Sequence, residues 1–589
     1  MQKRWVIKEQ GDSKQVKELA KSLNIDESLS SLLAQRGVTT FDEARAYFRP
    51  SLSVLHDPFL MKDMDRAVER VKKAIDRKEK VMIYGDYDVD GTTSVALLYT
   101  FLEQFIDEIE YYVPDRYAEG YGVSYQGIDV AIASGVSLII VLDCGIKAVD
   151  KINYAREHGV DFIVCDHHRP GDIIPSACAV LDPKRPDCDY PYKDLSGCGV
   201  GFKLVQGLAS TIGVPFESLN EYMDLVVVSI AADIVPITGE NRILAFYGLK
   251  RINQNPRPGI ESVLRYSGIN KIADGIDEFN FNREITVADL VFLVGPRINA
   301  AGRIEDAKNS VKLLVTRKME DANQLAEQIN DLNIERKSLD LNATQEALEV
   351  IKQDEMLADA KSTVVFNPGW HKGVIGIVAS RLTEVYYRPT IVLTQANGLL
   401  TGSARSIKDF DVYDALDHCS DLLEHFGGHK YAAGLSLKPE HLEPFRDKFE
   451  AYVTSHINEK MMIPEVEIDS RLYLKDINSK FVRILKQFAP FGPGNQNPIF
   501  QTDDLIDTGR ARVVGKNHLK LEVVHLNITG FPFSSIAFQQ GDHLKRIKEG
   551  EAFSVVYHIE ENEWNGVKSL QLNIKDIKFK TDMESGFYI

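Results

Sequence analysis

YGDYDVDG, residues 84–91, follows directly on the apolar run Val81, Met82 and Ile83 and sets Asp86, Asp88 and Asp90 at every second position. In an extended segment residues two apart point to one side, so three carboxylates crowd together there. Crowded carboxylates repel unless cations or protons lie between them. Gly91 then lets the backbone turn, Thr92, Thr93 and Ser94 supply capping oxygens, and Val95 to Phe105 carries helical spacing. The expected unit is a buried strand, an acidic loop and a helix. For this stretch alone, a solvated acidic turn is the plain alternative.

Working outward, short apolar runs alternate with helical patterns up to about residue 240: Val81 to Tyr84, Glu110 to Val113, Ser137 to Leu142, Asp161 to Cys165 and Ala177 to Leu181. That alternation predicts an α/β domain with a doubly wound, mainly parallel sheet. Several runs pass straight into polar residues: Asp143 follows LIIVL, and Asp166, His167 and His168 follow FIVC. Ligands gather where the carboxyl ends of such strands meet, so these positions are expected to converge. Asp233 closes the apolar stretch LVVVSIAAD, whose periodicity fits helix or strand.

The rest of the chain divides by texture. Residues 1–60 read as a small helical segment without visible chemistry, 61–305 as the first α/β domain and 306–353 as a connecting helical region. Some 35 helical residues there would span ~50 Å at ~1.5 Å each, the length of a strut between domains. Residues 354–460 read as a second α/β unit, and 463–589 as short alternating strands that suggest a small β-barrel of the OB type, with a turn at Asn565-Gly566.

Composition bounds the function classes. A hydrophobic share of 44% and a charged share of 26% are those of an ordinary soluble globular protein. No uncharged apolar run nears the ~18 residues of a membrane span, and no signal-peptide pattern follows the basic start MQKRWVIKEQ, so a cytoplasmic location without membrane contact is expected. The six cysteines read as free thiols. A net charge of -17 argues against coating of nucleic acid by the whole surface, and it leaves room for one local basic groove.

Asp88, Asp90, Asp143, His167 and Asp233 together offer four carboxylates and one imidazole. Oxygen-rich sites of this kind suit Mn²⁺ or Mg²⁺ better than structural zinc. Two ions ~3.5 to 4 Å apart can stabilise entering and leaving oxygens at phosphorus, and a single ion is the simpler option. Elsewhere, GSARS (402–406) and FGGHKYAAG (426–434) combine glycine-freed amides with Ser403, Arg405, Ser406, Gly427, Gly428 and His429, which suits an anionic terminus or a backbone phosphate. Arg297, Asn299 and Arg303 in GPRINAAGR (295–303) and Arg116 in VPDRYAEGYG (113–122) add further donors for phosphate oxygens. Arg510, Arg512, Lys516, His518, Lys520, Phe531 and Phe533 give the C-terminal region a basic and aromatic mixture suited to unpaired nucleotides.

YGDYDVDG, LDCGI (142–146), DHH (166–168) and ADIVP (232–236) resemble the four successive motifs of the DHH phosphoesterase superfamily. GPRINAAGR, GWHKGVIGIVASRL (369–382), GSARS, FGGHKYAAG and FAPFGPGNQNPIF (488–500) narrow the resemblance to its RecJ-type branch of single-strand-specific exonucleases. The resemblance implies Asp88, Asp90, Asp143, His167 and Asp233 as metal ligands, Asp143 bridging, with Asp86, Asp166 and His168 as catalytic groups close by. It also implies that Arg116, Arg297, Ser403 and Arg405 hold the 5′ end and flanking phosphates, with His371, Arg381 and Arg336 as further candidates. Related manganese pyrophosphatases carry a histidine four residues before the position of Asp88. Tyr84 stands there in this chain, which speaks against a pyrophosphatase.

The implied activity is two-metal 5′-to-3′ hydrolysis of single-stranded DNA to 5′-mononucleotides, in DNA repair and recombination. The expected state is a monomer, assisted by a helicase and a single-strand-binding protein. Two other readings stand beside it: a phosphodiesterase for short oligoribonucleotides or cyclic dinucleotides, and a non-catalytic replication scaffold.

Overall fold

The apolar runs that end in acidic residues form one parallel sheet. Its strands lie in the order Ile109–Tyr112, Val81–Gly85, Leu138–Leu142, Asp161–Cys165, Ala179–Leu181 in the computed structural model, which describes residues 3–276, 279–526, 530, 532–564 and 567–584. Alternate residues feed opposite faces. Ile83, Ile140 and Ile163 enter one core, whereas Met82, Ile139 and Phe162 enter the other, as strands covered on both sides require. The strand order reverses between Val81–Gly85 and Leu138–Leu142, and such a switch point opens a crevice at the carboxyl ends. Asp86 and Asp143 follow those two strands directly.

The acidic loop is shorter than its spacing suggests. The helix begins at Val89 and runs to Leu102, so Asp88 is its N-cap and Asp90 lies in its first turn, and no extended segment carries the three carboxylates. The cause is local: Asp88 Oδ1 accepts the Gly91 N–H at 3.0 Å, which starts the helix before the threonines. Thr92, Thr93 and Ser94 turn their hydroxyls back onto carbonyls of the preceding turn instead of capping. Gly91 is needed for close approach, since a Cβ there would stand 2.3 Å from the Asp86 carbonyl oxygen. LVVVSIAAD resolves as the helix Met223–Ala232 with Asp233 as its C-cap.

The helix Met319–Gln353 is continuous over 35 residues. Ala322, Ala326 and Ile329 join the core under the first sheet, and Ala343, Ala347 and Ile351 join that of the following domain. Between them the helix buries Asn333, Arg336 and Asp340. The following domain carries a five-stranded mixed sheet in the order His425–His429, Ala432–Leu437, Leu399–Arg405, Thr390–Ala396, Thr363–Phe366. All of this belongs to one compact unit, 51–457 with 490–494.

A second compact unit comprises 1–50, 458–489 and 495–589. Its start differs from the all-helical expectation: Arg4–Ile7 is a strand pairing in parallel with Glu465–Ile468. Four residues are too few to show a periodicity, and their partner comes far later in the chain. In the same unit Phe500–Asp507, Phe553–Trp564, Val567–Phe579, Phe533–Ala537 and His518–His525 pair in succession. Leu505–Asp507 then pairs back with Val523–His525 and closes the ring, the closure expected of an OB-type barrel. Phe531 and the Asn565-Gly566 turn lie outside the described residues. The described cysteines are all free thiols. Among the described residues no helix is long and apolar enough to cross a membrane.

Candidate metal centre and phosphate-binding face

His167 stands at the middle of the acidic cluster. Its Nε2 lies 3.2 Å from Asp143 Oδ1, 3.6 Å from Asp233 Oδ2 and 3.7 Å from Asp90 Oδ2. Neither ring nitrogen of His167 has a hydrogen-bond partner among the described residues, although both are buried. Asp86 Oδ2 is equally orphaned, while Asp86 Oδ1 accepts the Gly122 N–H at 3.3 Å. Buried polar atoms without partners are rare, and two of these belong to the imidazole at the middle of the cluster. Ligand atoms of Asp90, His167 and Asp233, and again of Asp143, His167 and His168, lie within 4.8 Å of one another.

Electrostatics agree with that geometry. Burial and then Asp88 push the Asp86 carboxyl up to about 8. Burial followed by Asp90 and Asp88 does the same to Asp233, also to about 8. Burial and then Asp90, Asp88, Asp233 and Asp86 hold Asp143 well above the usual carboxylate range. Burial lowers His167, which keeps its imidazole neutral and able to ligate. Such a set binds protons or divalent cations, and four carboxylates with one neutral imidazole fit Mn²⁺ or Mg²⁺.

The surrounding groups fix these ligands. Asp90 accepts the Gly197 N–H at 2.7 Å, the Cys198 N–H at 2.8 Å and the Ser229 hydroxyl at 2.7 Å. Asp143 takes a left-handed backbone, φ +59°, and packs so tightly on Gly197 that a Cβ there would meet Asp143 Oδ1 at 2.7 Å. Asp166 is used up in positioning. Its Oδ1 accepts the N–H of His167 and the N–H and Nδ1 of His168, and its Oδ2 accepts the Ile146 N–H. Burial would raise Asp166, yet the His168 hydrogen bond and charge outweigh it and bring it to about 2. In return, Asp166 overcomes the effect of burial on His168 and lifts it to about 9. His168 Nε2 is left facing the Tyr121 hydroxyl at 3.2 Å.

A basic face stands beside this centre in the same compact unit. Arg405 bonds Ser380 Oγ, Ser403 Oγ and the Ala404 carbonyl, and among the described residues it has no carboxylate partner. Gly376, in the first turn of the helix Ile375–Tyr386, lets that helix approach: a Cβ would stand 3.0 Å from Arg405 Nη2 and 3.1 Å from Ser403 Oγ. Arg303 donates to the Gly373 carbonyl at 2.9 Å. Burial, then the charges of Arg116, Arg336 and Arg405, draw Arg303 down to about 10, so these cations share one neighbourhood. Arg116 lies over the Tyr87 ring at 4.8 Å. His371 accepts the Gly373 N–H and sets its ring edge-on to Tyr117. A cleft of about 580 Å³, lined by Tyr121, Lys372, Thr401, His425, Phe426 and Gly427, joins the surroundings of His168 to the second sheet.

Other predicted donors are spent elsewhere. Arg297 is buried and gives its guanidinium to Asn330 Oδ1 and to the Leu293 and Tyr266 carbonyls. Arg381 forks onto Asp340, a buried carboxylate that Arg336 also approaches at 3.9 Å. Ser406 donates to the Phe410 carbonyl within a turn. Asn299 is half-buried on the helix Gly295–Ile304. Gly427, Gly428 and His429 lie exposed on the edge strand His425–His429. In the other unit Arg510 pairs with Glu522, and Phe533 is half-buried.

Residues 80–230 match the DHH family N-terminal domain, 359–455 the DHHA1 domain and 468–576 the RecJ OB domain. The single-stranded-DNA-specific exonuclease RecJ of Bacillus subtilis is 37% identical, with 97% of this chain and 70% of the relative covered. That of Escherichia coli is 33% identical over 93% of this chain and 95% of the relative. This chain belongs to the RecJ family. The structure of the Thermus thermophilus RecJ in complex with Mn²⁺ superposes with a TM-score of 0.81 at 27% identity, covering 98% of this chain and 79% of that one. Its Mg²⁺ complex gives 0.76 at 26% identity, over 98% and 78%. A separate manganese-bound RecJ structure gives 0.57 at 30% identity, over 68% and 96%.

Several groups of this RecJ-family centre are absent from the sequence expectations: Gly197, Cys198 and Ser229, which hold Asp90, and Tyr121, which donates to the Asp143 carbonyl. Lys184, whose charge bears on Asp233 and His167, is another. Ser196 and Gly197 were legible as a helix cap with a close glycine. Nothing in the sequence tied them to Asp90, more than a hundred residues earlier.

Proposed function

We propose that this chain hydrolyses single-stranded DNA from the 5′ end and releases 5′-mononucleotides. One observation carries the reading: among the described residues His167 has no hydrogen-bond partner on either ring nitrogen and gathers carboxylates in the same compact unit as Arg405, which has no carboxylate partner among them. Asp88, Asp90, Asp143, His167 and Asp233 would hold one or two Mn²⁺ or Mg²⁺ ions. The chemistry such ions supply is Lewis acidity toward the phosphoryl group and acidification of the attacking water.

The chain's own groups do the rest. Hydrogen bonds from Gly197, Cys198 and Ser229 fix the Asp90 carboxylate before substrate arrives, so little reorganisation is needed at the moment of reaction. Asp166 orients His168 and keeps it protonated, and His168 Nε2 delivers a hydrogen bond or proton to the departing 3′-oxygen. Arg405, with Ser403 beside it, receives the 5′-terminal phosphate. Arg116 and Arg303, whose charges bear on one another, would add positive charge for flanking phosphates. Hydrolysis of strands already unwound points to a helicase and a single-strand-binding protein as working partners, and to repair and recombination as the setting. The barrel region would grip strand not yet cut.

End-labelled single strands and blunt duplexes, incubated with and without Mn²⁺, test this reading. The expected result is Mn²⁺-dependent release of labelled mononucleotide from 5′-labelled single strands and no digestion of the duplex. Equal digestion of duplex, or loss of a 3′ label first, overturns it. Arg405→Ala is expected to raise KM for 5′-phosphorylated strands about 10- to 100-fold, the equivalent of ~1.5–3 kcal/mol for hydrogen bonds to a charged group. Strands with a 5′-hydroxyl should be nearly unaffected, and steady-state kinetics on the two substrates read the difference.

A further inference from the structure

Asp233 is the most open of the three carboxylates that approach His167 Nε2, with 30% of its side chain exposed against 1% for Asp90 and 2% for Asp143. The next residue, Ile234, has a left-handed backbone, φ +58°, and is 62% exposed. A β-branched side chain in that region is an outlier, because its Cβ crowds the neighbouring carbonyl oxygen. Asparagine or glycine would make the same turn without strain.

Both neighbours of Ile234 are pinned. Before it, the Asp233 N–H bonds the Ser229 carbonyl and ends the helix. After it, Val235 is buried, and the Pro236 carbonyl accepts the Tyr192 hydroxyl and Asn241 Nδ2. The Ile237 N–H is then held by the Pro493 carbonyl at 2.7 Å. Ile234 therefore absorbs the whole change of direction. Most of its apolar surface stays in solvent, so folding buries little of it. Strain of this kind clusters at active sites and ligand clamps, and the ligand that would come nearest Ile234 is the nucleotide whose phosphate reaches the ions Asp233 would hold.

We propose that Ile234 packs against the nucleobase next to the scissile phosphate and is a substrate-positioning contact of this enzyme. The proposal rests on the nuclease reading above. An apolar contact with a base face carries no sequence information, because every base presents such a face, so it suits an enzyme that removes all four nucleotides. It also sets the sugar and its phosphate at a fixed depth beside the ligands.

The test is Ile234→Asn, with Ile234→Val as the variant that keeps a branched apolar side chain. Both are assayed on single strands carrying either normal nucleotides or an abasic analogue at the first or second position. Wild-type digestion of normal single strands is the first reading, and its failure sinks the nuclease assignment and this proposal together. Given that digestion, Ile234→Asn is expected to melt at the wild-type temperature or higher. Its KM for normal strands should rise about 3- to 10-fold, as expected for losing part of an apolar burial. Its KM for one of the two abasic strands should match the wild type, and Ile234→Val should stay within twofold on all of them. An unchanged KM on normal strands, an equal rise on all three substrates, or a fall in melting temperature with loss of kcat would overturn the contact while leaving the nuclease reading intact.

Discussion

Asp143→Ala is expected to lower the rate of strand cleavage by about 10³-fold or more, the equivalent of ~4 kcal/mol of lost charge stabilisation at the phosphoryl group. The carboxylate is buried, touches His167 Nε2 at 3.2 Å and sits at a backbone φ of +59° that no other strand end in the sheet shares. Alanine keeps the Cβ that packs on Gly197 but removes Cγ and Oδ1, which also pack there, so the loss is chiefly one of charge and ligation. Crowding by Asp90, Asp88, Asp233 and Asp86 adds to burial in raising Asp143, and removing one of these acids relieves repulsion. The variant should therefore melt in a chelator at or above the wild-type temperature. The wild type should gain about 2.7 kcal/mol when Mn²⁺ is at a hundred times its Kd, and the variant much less. Binding of single strands, measured by fluorescence anisotropy in chelator, should be nearly unchanged because the basic face is untouched. Retained cleavage would remove the basis for the proposed centre.

The second large effect is on stability. Lys203 is fully buried, and its ammonium lies 2.7 Å from Glu240 Oε1 and 3.0 Å from the His56 carbonyl and from Gln206 Oε1. Glu240 also accepts the Tyr190 hydroxyl at 2.5 Å and the His56 N–H at 2.9 Å. Burial lowers the Lys203 pKa, against which Glu240 acts to keep the charge. Lys203→Met leaves Glu240 buried without its cation and is expected to cost about 3–5 kcal/mol in urea unfolding. Adding Glu240→Gln should recover much of that loss, because the uncompensated charge is then gone. The network braces the helix Gly197–Ile212, whose first amides hold Asp90. A stability loss without recovery in the double variant would mean that packing, and not the buried charge, sets the cost.

The acids and histidines were legible because each ends an apolar run, and burial on both faces of a parallel sheet makes such runs continuous. The start of the helix at Val89 was not legible, since alternation of Asp86, Asp88 and Asp90 fits an extended loop as well as a capped turn. Arg297 and Arg405 look alike in sequence, each in a glycine-containing motif. Only the fold shows that Arg297 donates from all three guanidinium nitrogens, to Asn330 and two carbonyls, while Arg405 donates from Nε and Nη1 and keeps Nη2 without a hydrogen bond among the described residues. The same holds for Arg381, which Asp340 captures.

What the sequence determined by itself was the set of elements and the acids at their ends, because hydrophobic periodicity is a local property that each segment carries wherever it packs. What only the tertiary structure decided was which of those groups share one space, and which are already satisfied. A hydrogen-bond partner such as Ser229 for Asp90, or Asp340 for Arg381, comes from a distant segment, and its choice follows from packing.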